Sequence, residues 1–498
     1  MSGDNKQACA ADQCAAGMRA REASGRERYG PGFGSATEFC EKRMGMNMKE
    51  IQEEVVARFL RYVKIDTQSD EKSGTHPSTK KQLELARVIE KELREMGFSE
   101  RGTACGPDDP AIGCYCFDES TCYVYGHLKP TDPECEGPKI GFIAHMDTSP
   151  EASGAHVKPQ IIENYDGGDI VLGGASSAGA SGMSDSGTGN MSAGGAASAE
   201  AGETRILSPK DFPELLKYKG QTLITSDGTT LLGADDKAGV AEILTMLHFF
   251  AAHPEIPHGP VRFAFTPDEE IGEGTLNFSV ERFDSDFAYT VDGGELGELS
   301  YENFNAASAV IHVTGRNVHP GEAYGKMIHA ARLLMEIDSR LPSDERPEKT
   351  RDREGFYHLT EMQGDASEAT LTYIIRDHDS VLFAKKKDKV EEVCAEVEAA
   401  HPGAKVEVTI RDSYFNMIDK IRPHMEIVER CEAAMRRCGV EPRIEPVRGG
   451  TDGAMLSYRG VLCPNICAGG HNFHGVYEYV SCESMAKIVE ILVELAKV

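Results

Sequence analysis

Two side chains that could bind a metal ion stand two residues apart near the end of an apolar run. Residues 139–145 predict a short buried strand that ends at His145, and Asp147 follows two positions later. On an extended backbone, residues two apart point to the same face. An imidazole there can bind a metal while the carboxylate orients it from behind. The pair alone, however, is more typical of a polar strand end than of a metal site.

Four later segments each place a ligand-type residue where a predicted strand or helix meets a loop. They contribute Asp235, Glu270, Asp292 and His474, so that the full set with His145 holds two imidazoles and three carboxylates. Zinc accepts nitrogen and oxygen donors of these kinds. Because a carboxylate has two oxygens, Asp235 could bridge two ions. His145 with Asp292 would then complete one ion, and Glu270 with His474 the other.

The adjacent acids Glu269 and Glu270 need different roles, because neighbouring side chains diverge and only one can face the metals fully. We assign Glu270 as a ligand and Glu269 as the general base for a water that bridges the two ions. A plainer interpretation is that residues 268–270 complement the N-terminus of a helix. Asp235 and Asp236 could similarly be helix N-caps, and His471 could replace His474 as the ligand.

The elements that must position these residues alternate between strand and helix. Two amphipathic helices, residues 49–65 and 81–96, precede the first predicted strand at 139–145. Further buried strands are predicted at 261–266 and 287–291, each followed by carboxylates. This pattern predicts an α/β fold with a mixed, mostly parallel sheet between helices, and a site beyond the carboxyl ends of the strands.

A different pattern of predicted strands and helices interrupts this alternation from about residue 308 to 411. The order of predicted elements there is β-α-β-β-α-β, which is typical of a small ferredoxin-like α+β domain. We therefore predict four parts, together with a flexible Gly/Ala/Ser insertion at 174–204. They are a disordered extension (1–48), a first catalytic part (49–305), an inserted domain (306–412) and a second catalytic part (413–498).

Composition limits the possible partners and the compartment. The 498 residues carry a formal charge of -28, and such a surface would repel nucleic acid and anionic membranes. No apolar run reaches the ~18 residues of a membrane span, and the N-terminus lacks the order of a secretory signal, so we expect a cytoplasmic protein. Most of the 14 cysteines should be free thiols. The uneven cluster from Cys105 to Cys135 could hold a structural metal, loop thiols or an adventitious disulfide.

Seven motifs in this order resemble those of the peptidase T family of tripeptide aminopeptidases. That family belongs to the dinuclear zinc peptidases, which also include carboxypeptidase G and acetylornithine deacetylase. The motifs are HMDTSP from His145, GADDKAG from Gly233, TPDEEIG from Thr266, VDGGE from Val291, NVHPG from Asn317, RGGTDGA from Arg448 and HGVYE from His474. The resemblance implies a zinc-peptidase catalytic domain and an inserted lid that also mediates homodimerisation.

Carried over residue by residue, the resemblance assigns two Zn²⁺ per subunit, with Co²⁺ or Mn²⁺ as substitutes. The metal ligands would be His145, Asp235, Glu270, Asp292 and His474, with Asp147 behind His145 and Glu269 as the base. The Asp at the place of Asp235 precedes a cis peptide bond in the family. His319 from the lid would stabilise the oxyanion, and Arg376 and Arg448 are candidates for the substrate carboxylate.

We therefore expect an enzyme that removes the N-terminal residue from tripeptides. A related dipeptidase or N-acyl amino acid deacylase is the first alternative, and a non-catalytic peptide-binding protein is the second. The extension, the Cys-rich stretch 105–135 and the 174–204 insertion depart from the family pattern, and they leave the preferred peptide length open.

Overall fold

A computed structural model describes residues 46–100, 110–173 and 204–497. Nearly all of the predicted N-terminal extension and of the 174–204 insertion therefore lies outside the described residues, as does Cys105. None of the helices in the described ranges is long and apolar enough to cross a membrane.

A nine-stranded mixed sheet forms the centre of the catalytic part. Its strands, in their order across the sheet, are Phe98–Glu100 (β1), Gly113–Asp118 (β2), Tyr123–Leu128 (β3), Val261–Thr266 (β9), Ile140–His145 (β4), Phe287–Gly293 (β10), Asn465–Cys467 (β17), Glu298–Ser300 (β11) and Arg443–Ile444 (β16). The central strands β9, β4, β10 and β17 are parallel to one another. The predicted mostly parallel sheet is confirmed.

The prediction that 139–145 is the first strand is wrong, because strands β1, β2 and β3 precede it in the chain. Strands β2 and β3 form an antiparallel hairpin whose turn contains Cys122, at a φ of 63°. Their glycines and cysteines resemble loop composition, and only pairing with β9 makes them a buried part of the sheet. Within the cysteine cluster, Cys114 is disulfide-bonded, whereas Cys116, Cys122 and Cys135 are free thiols.

The described residues also form ten α-helices, two of which belong to the inserted region. They are Met48–Tyr62 (α1), Gln82–Glu95 (α2), Ala234–Ala252 (α3), Val280–Phe283 (α4), Ala330–Arg340 (α5), Ser380–Ala400 (α6), Ile418–Ile421 (α7), Glu426–Arg437 (α8), Asp452–Tyr458 (α9) and Cys482–Ala496 (α10). Helix α3 is apolar on nearly all sides because it packs on β4 and β10 while α1 and α10 cover it. Its N-terminus is thereby fixed at the carboxyl edge of the sheet.

The inserted region has the predicted β-α-β-β-α-β order. Its strands are Asn305–Thr314 (β12), Phe356–Gly364 (β13), Glu368–Asp377 (β14) and Lys405–Tyr414 (β15), which form an antiparallel sheet in the order β13-β14-β12-β15. Helices α5 and α6 pack on this sheet over a core that includes Ile311, Tyr373 and Val393. The predicted α+β texture is confirmed, whereas the domain limits and the role in dimerisation stay predictions.

A second, small sheet brings two distant loops together. Strands Gln160–Ile162 (β5), Leu223–Thr225 (β8), Gly470–His471 (β18) and Tyr479–Ser481 (β19) pair in the order β18-β19-β8-β5. The short pair Ile170–Leu172 (β6) and Arg205–Leu207 (β7) lies beside the gap in the described residues. Strand β8 precedes the loop that leads to Asp235, and β18 precedes the loop with His474. The small sheet therefore holds these two loops close together.

Candidate metal centre

The predicted ligands meet at the carboxyl edge of the large sheet. His145 is the last residue of β4, and Asp292 lies near the end of the neighbouring strand β10. Glu270 follows β9, on the other side of β4, in a short 3₁₀ turn. Because adjacent parallel strands end at the same edge, these three side chains are placed together by strand order alone.

Asp235 lies between the two imidazoles. Its Oδ1 is 2.9 Å from His145 Nε2, and its Oδ2 is 3.3 Å from His474 Nε2. Asp292 Oδ1 lies 3.5 Å from His145 Nε2, and Glu270 Oε2 lies 2.8 Å from His474 Nε2. The structure thus brings together all five side chains, in two groups that share one carboxylate. The Asp235–Asp236 peptide bond is cis, as the resemblance implies.

The electrostatics of this cluster fit bound cations. Contacts with Asp235 and then with Glu270 raise the pKa of His474 to about 11, so the cluster attracts positive charge strongly. Glu270 Oε1 is buried and has no hydrogen-bond partner among the described residues. A buried carboxylate oxygen without a hydrogen-bond partner, close to two imidazoles, can be stabilised by coordination to a divalent cation.

Asp147 has a second contact that its spacing from His145 did not reveal. Its Oδ1 lies 3.3 Å from His145 Nδ1, which agrees with the predicted orienting role. The same carboxylate also accepts hydrogen bonds from the backbone N–H groups of Glu269 (3.0 Å) and Glu270 (3.3 Å). One buried carboxylate therefore fixes both the imidazole and the turn with the two acids.

Glu269 faces the same cavity as the candidate ligands. Burial, and then the negative charge of Asp292, raises the pKa of Glu269 well above its ordinary value. A nearby cation would lower it again, so this carboxyl group can exchange a proton at a metal-loaded centre. A base in that position is what the predicted reaction requires.

The other predicted residues lie in different places. Arg376 lines the cavity, which has a volume of about 680 Å³. Arg448 points away, because its guanidinium donates to the carbonyls of Asp352 and Glu354. His319 is exposed and does not line the cavity within one chain. The roles of all three stay predictions, and this geometry does not support a substrate contact by Arg448.

The alternative ligand His471 lies away from the carboxylate cluster. Its ring stacks on Tyr479 at 4.7 Å, its Nε2 is hydrogen-bonded to Tyr218, and burial lowers its pKa to about 4. A histidine held in this way is part of the small sheet's packing. The geometry favours His474 as the ligand.

Sequence reasoning did not reveal that two buried acids hold the backbone of the ligand residues. Asp236 Oδ2 accepts the backbone N–H of His145 at 3.1 Å. Glu478 accepts the backbone N–H groups of Leu232, Gly233 and Asp235 at 2.7, 2.8 and 3.1 Å. Both residues lie inside the motifs quoted above, and this position was the only sequence feature that singled them out. A motif does not show which backbone groups a side chain contacts.

Comparison with known proteins agrees with this arrangement. Residues 225–498 match Peptidase family M20/M25/M40. The chain belongs to this family. A curated family relative, Peptidase T of Geobacillus thermodenitrificans, is 48% identical over 447 residues, which cover 90% of this chain and 98% of the relative.

Two solved structures resemble the whole described architecture. Aminopeptidase PepT of Bacillus cereus has a TM-score of 0.63 at 20% identity and covers 89% of this chain and 98% of its own. A tripeptidase of Staphylococcus aureus has a TM-score of 0.64 at 20% identity and covers 90% of this chain and 98% of its own. At this identity the likeness concerns the fold.

Proposed function

We propose that this protein is a metal-dependent aminopeptidase that removes the N-terminal residue from tripeptides. The observation that carries the proposal is the 48% identity to a Peptidase T over 90% of the chain. It is supported by one imidazole and four carboxylates that line one cavity, those of His474, Asp235, Glu269, Glu270 and Asp292. The second imidazole, that of His145, lies behind Asp235, with its Nε2 2.9 Å from Asp235 Oδ1. A volume of about 680 Å³ lies within the range of pockets that enclose small ligands.

Two divalent cations, which we propose to be Zn²⁺ with Co²⁺ or Mn²⁺ as substitutes, fit the five candidate ligands. His145 and Asp292 would hold one, Glu270 and His474 the other, and Asp235 both. When bound, the cations would polarise the scissile carbonyl and make water a better nucleophile at neutral pH. Asp147 keeps the imidazole of His145 oriented for this role through its contact with Nδ1.

Glu269 performs the proton transfers in this proposal. Its carboxylate accepts a proton from the attacking water and later gives the proton to the leaving amine. The backbone N–H of Glu269 donates to Asp147 Oδ1 at 3.0 Å, which fixes the backbone from which the side chain extends into the cavity. Such pre-organisation avoids reorganisation during the reaction.

The cavity also suits the free amine of a peptide. Three further carboxylates line it, those of Glu151, Glu298 and Glu445. Glu298 is the best placed, because Arg443 donates to its Oε1 at 3.2 Å while its Oε2 lies over Gly294, two residues beyond Asp292. Arg443 already pairs with Oε1 of Glu298, so Oε2 and the other two carboxylates are the atoms that an N-acyl group would leave without a cationic partner. The charge distribution therefore favours an aminopeptidase over a deacylase.

The C-terminal carboxylate of the peptide would contact Arg376 and Tyr414. Ala306 pairs with Arg376 on one neighbouring strand and with Tyr414 on the other, so these side chains stand on the same face of the inserted sheet. Arg376 Nε and Tyr414 Oη are buried and have no hydrogen-bond partner within the described ranges. A planar guanidinium and a phenol are suitable donors for the C-terminal carboxylate.

We assign the inserted domain to homodimerisation and His319 to the cavity of a second subunit. Within one chain the His319 side chain is exposed, and its Nδ1 accepts the backbone N–H of Gly321. A lid residue that lies outside its own cavity can stabilise an oxyanion only after closure or from another copy. We also expect the dimer to act on short peptides in the cytoplasm.

The test compares a free tripeptide with its N-acetylated form, using purified protein supplemented with zinc and mass spectrometry of the products. The proposal predicts release of the first residue from the free tripeptide alone. Cleavage of only the acetylated peptide would indicate a deacylase. Cleavage of neither would favour a peptide-binding protein.

A further inference from the structure

A second group of ligand-type side chains lies apart from the five candidate ligands. His76, Asp268 and Glu273 offer ligand atoms that all lie within 4.8 Å of one another. His76 belongs to the loop between α1 and α2, whereas Asp268 and Glu273 are at the two ends of the loop that follows β9. None of the three has a role in the reaction proposed above.

The loop from Asp268 to Glu273 closes on itself. Asp268 has a positive φ of 58°, and the backbone N–H of Glu273 donates to the Asp268 carbonyl at 2.9 Å. Glu269 and Glu270 lie inside this loop. A ligand bound at its base would therefore hold the segment that carries both the proposed base and a proposed metal ligand.

Asp268 keeps one free acceptor position toward His76. Its Oδ1 accepts from Ser78 Oγ and from Gln82 Nε2 (2.6 Å), and its Oδ2 accepts from the Ser78 backbone N–H (2.7 Å). A carboxylate has about four lone-pair positions. The remaining one is on Oδ2, which lies 3.0 Å from His76 Nδ1.

The imidazole of His76 is buried, and its Nδ1 lies 3.0 Å from Asp268 Oδ2 without the geometry of a hydrogen bond. Its side chain is 7% exposed and packs against the ring of Tyr123 at 5.7 Å. Neither ring nitrogen has a hydrogen-bond partner of suitable geometry among the described residues. A buried polar atom without a hydrogen-bond partner destabilises the folded state, so a bound ligand that contacts the imidazole would stabilise this site.

The donor set identifies the chemical class of that partner. One neutral imidazole and two carboxylates carry two negative charges, and nitrogen and oxygen donors together suit zinc-like divalent ions. Glu273 is exposed, so water can reach a fourth position. We propose that His76, Asp268 and Glu273 bind a third divalent cation, of the Zn²⁺ or Co²⁺ type, which clamps the base of the loop to the segment before α2.

The test counts cobalt ions per full-length chain at a buffered free Co²⁺ concentration, by elemental analysis. Glu273→Gln removes an exposed ligand without disturbing the core, and His76→Gln removes the nitrogen donor. Glu281→Gln is the matched control, because it deletes an equal charge from an exposed position on α4 outside the cluster. Asp268 is left unchanged because it holds Ser78 and Gln82.

We expect both cluster variants to carry one Co²⁺ fewer than the wild type, while the control keeps the wild-type number. Asp235→Ala should retain the third ion while losing ions from the proposed dinuclear centre, which separates the two sites. Equal metal content in the wild type and Glu273→Gln would overturn the proposal. That outcome is decisive even if His76→Gln folds poorly, because Glu273 contributes no buried packing.

Discussion

The carboxylate of Glu478 offers a direct way to separate backbone positioning from metal ligation. It is fully buried and accepts three backbone N–H groups, with Oε2 serving Leu232 and Gly233 and Oε1 serving Asp235. Glu478 stands four residues after His474. It therefore ties the loop of one proposed ligand to the segment of another.

The Glu478→Gln variant keeps the shape but removes one acceptor. In the better orientation the amide oxygen still accepts the backbone N–H groups of Leu232 and Gly233. The amide NH₂ then faces the backbone N–H of Asp235, which it cannot accept. One buried donor loses its partner, at a cost of about 1–3 kcal/mol. Because this cost falls on the Asp235 loop, we expect a 10–100-fold loss of metal affinity, which is typical when a residue that supports a ligand is changed.

The assay is a competition titration of Co²⁺ between the protein and a chelator, with thermal unfolding of the metal-free protein as a second readout. Glu483→Gln serves as the control, because Glu483 accepts one backbone N–H, from Thr222, and does not touch the Asp235 loop. Glu483→Gln should bind Co²⁺ as the wild type does. Unchanged metal affinity in Glu478→Gln, with or without a lower unfolding temperature, would refute the positioning argument.

Three further predictions concern charge. Burial raises the pKa of Glu242 well above its ordinary 4.5, so the stability of the fold should fall as pH rises above 4.5, by up to ~1.4 kcal/mol per pH unit. Glu242→Gln should remove this slope in denaturant titrations, and an unchanged slope would contradict it. Arg376→Lys should raise KM for tripeptides about tenfold or more, whereas Arg448→Lys should mainly lower the stability of the fold. The reverse result would assign the binding of the substrate carboxylate to Arg448. Asp235→Ala should lose metal on dialysis, and unchanged metal content would disprove its bridging role.

The sequence alone predicted the parts of the site that follow from strand order. His145 is the last residue of one strand, and Asp292 lies near the end of the parallel strand beside it, while Glu270 follows a third. Since the carboxyl ends of such strands share an edge, apolar runs followed by acids and histidines were sufficient to group these residues. The β-α-β-β-α-β order was equally visible, because its periodicities are local.

The parts that were missed depend on contacts between distant segments. Glu478 reaches a backbone group 243 positions away, and nothing in its local sequence indicates burial. Strands β2 and β3 contain glycines and cysteines, and they become strands through pairing with each other and with β9. The direction of Arg448 could not be predicted either, because its carbonyl partners belong to the inserted domain.

The measurement that tests the central claim most directly is the turnover of a free tripeptide by Glu269→Gln, with the metal content of the same sample determined in parallel. Because Glu269 is proposed to move protons and not to bind metal, we predict wild-type metal content and a loss of kcat of about 10²–10⁴-fold. Wild-type turnover at full metal content would contradict the assignment of Glu269 as the base. Loss of metal together with activity would instead make Glu269 a ligand.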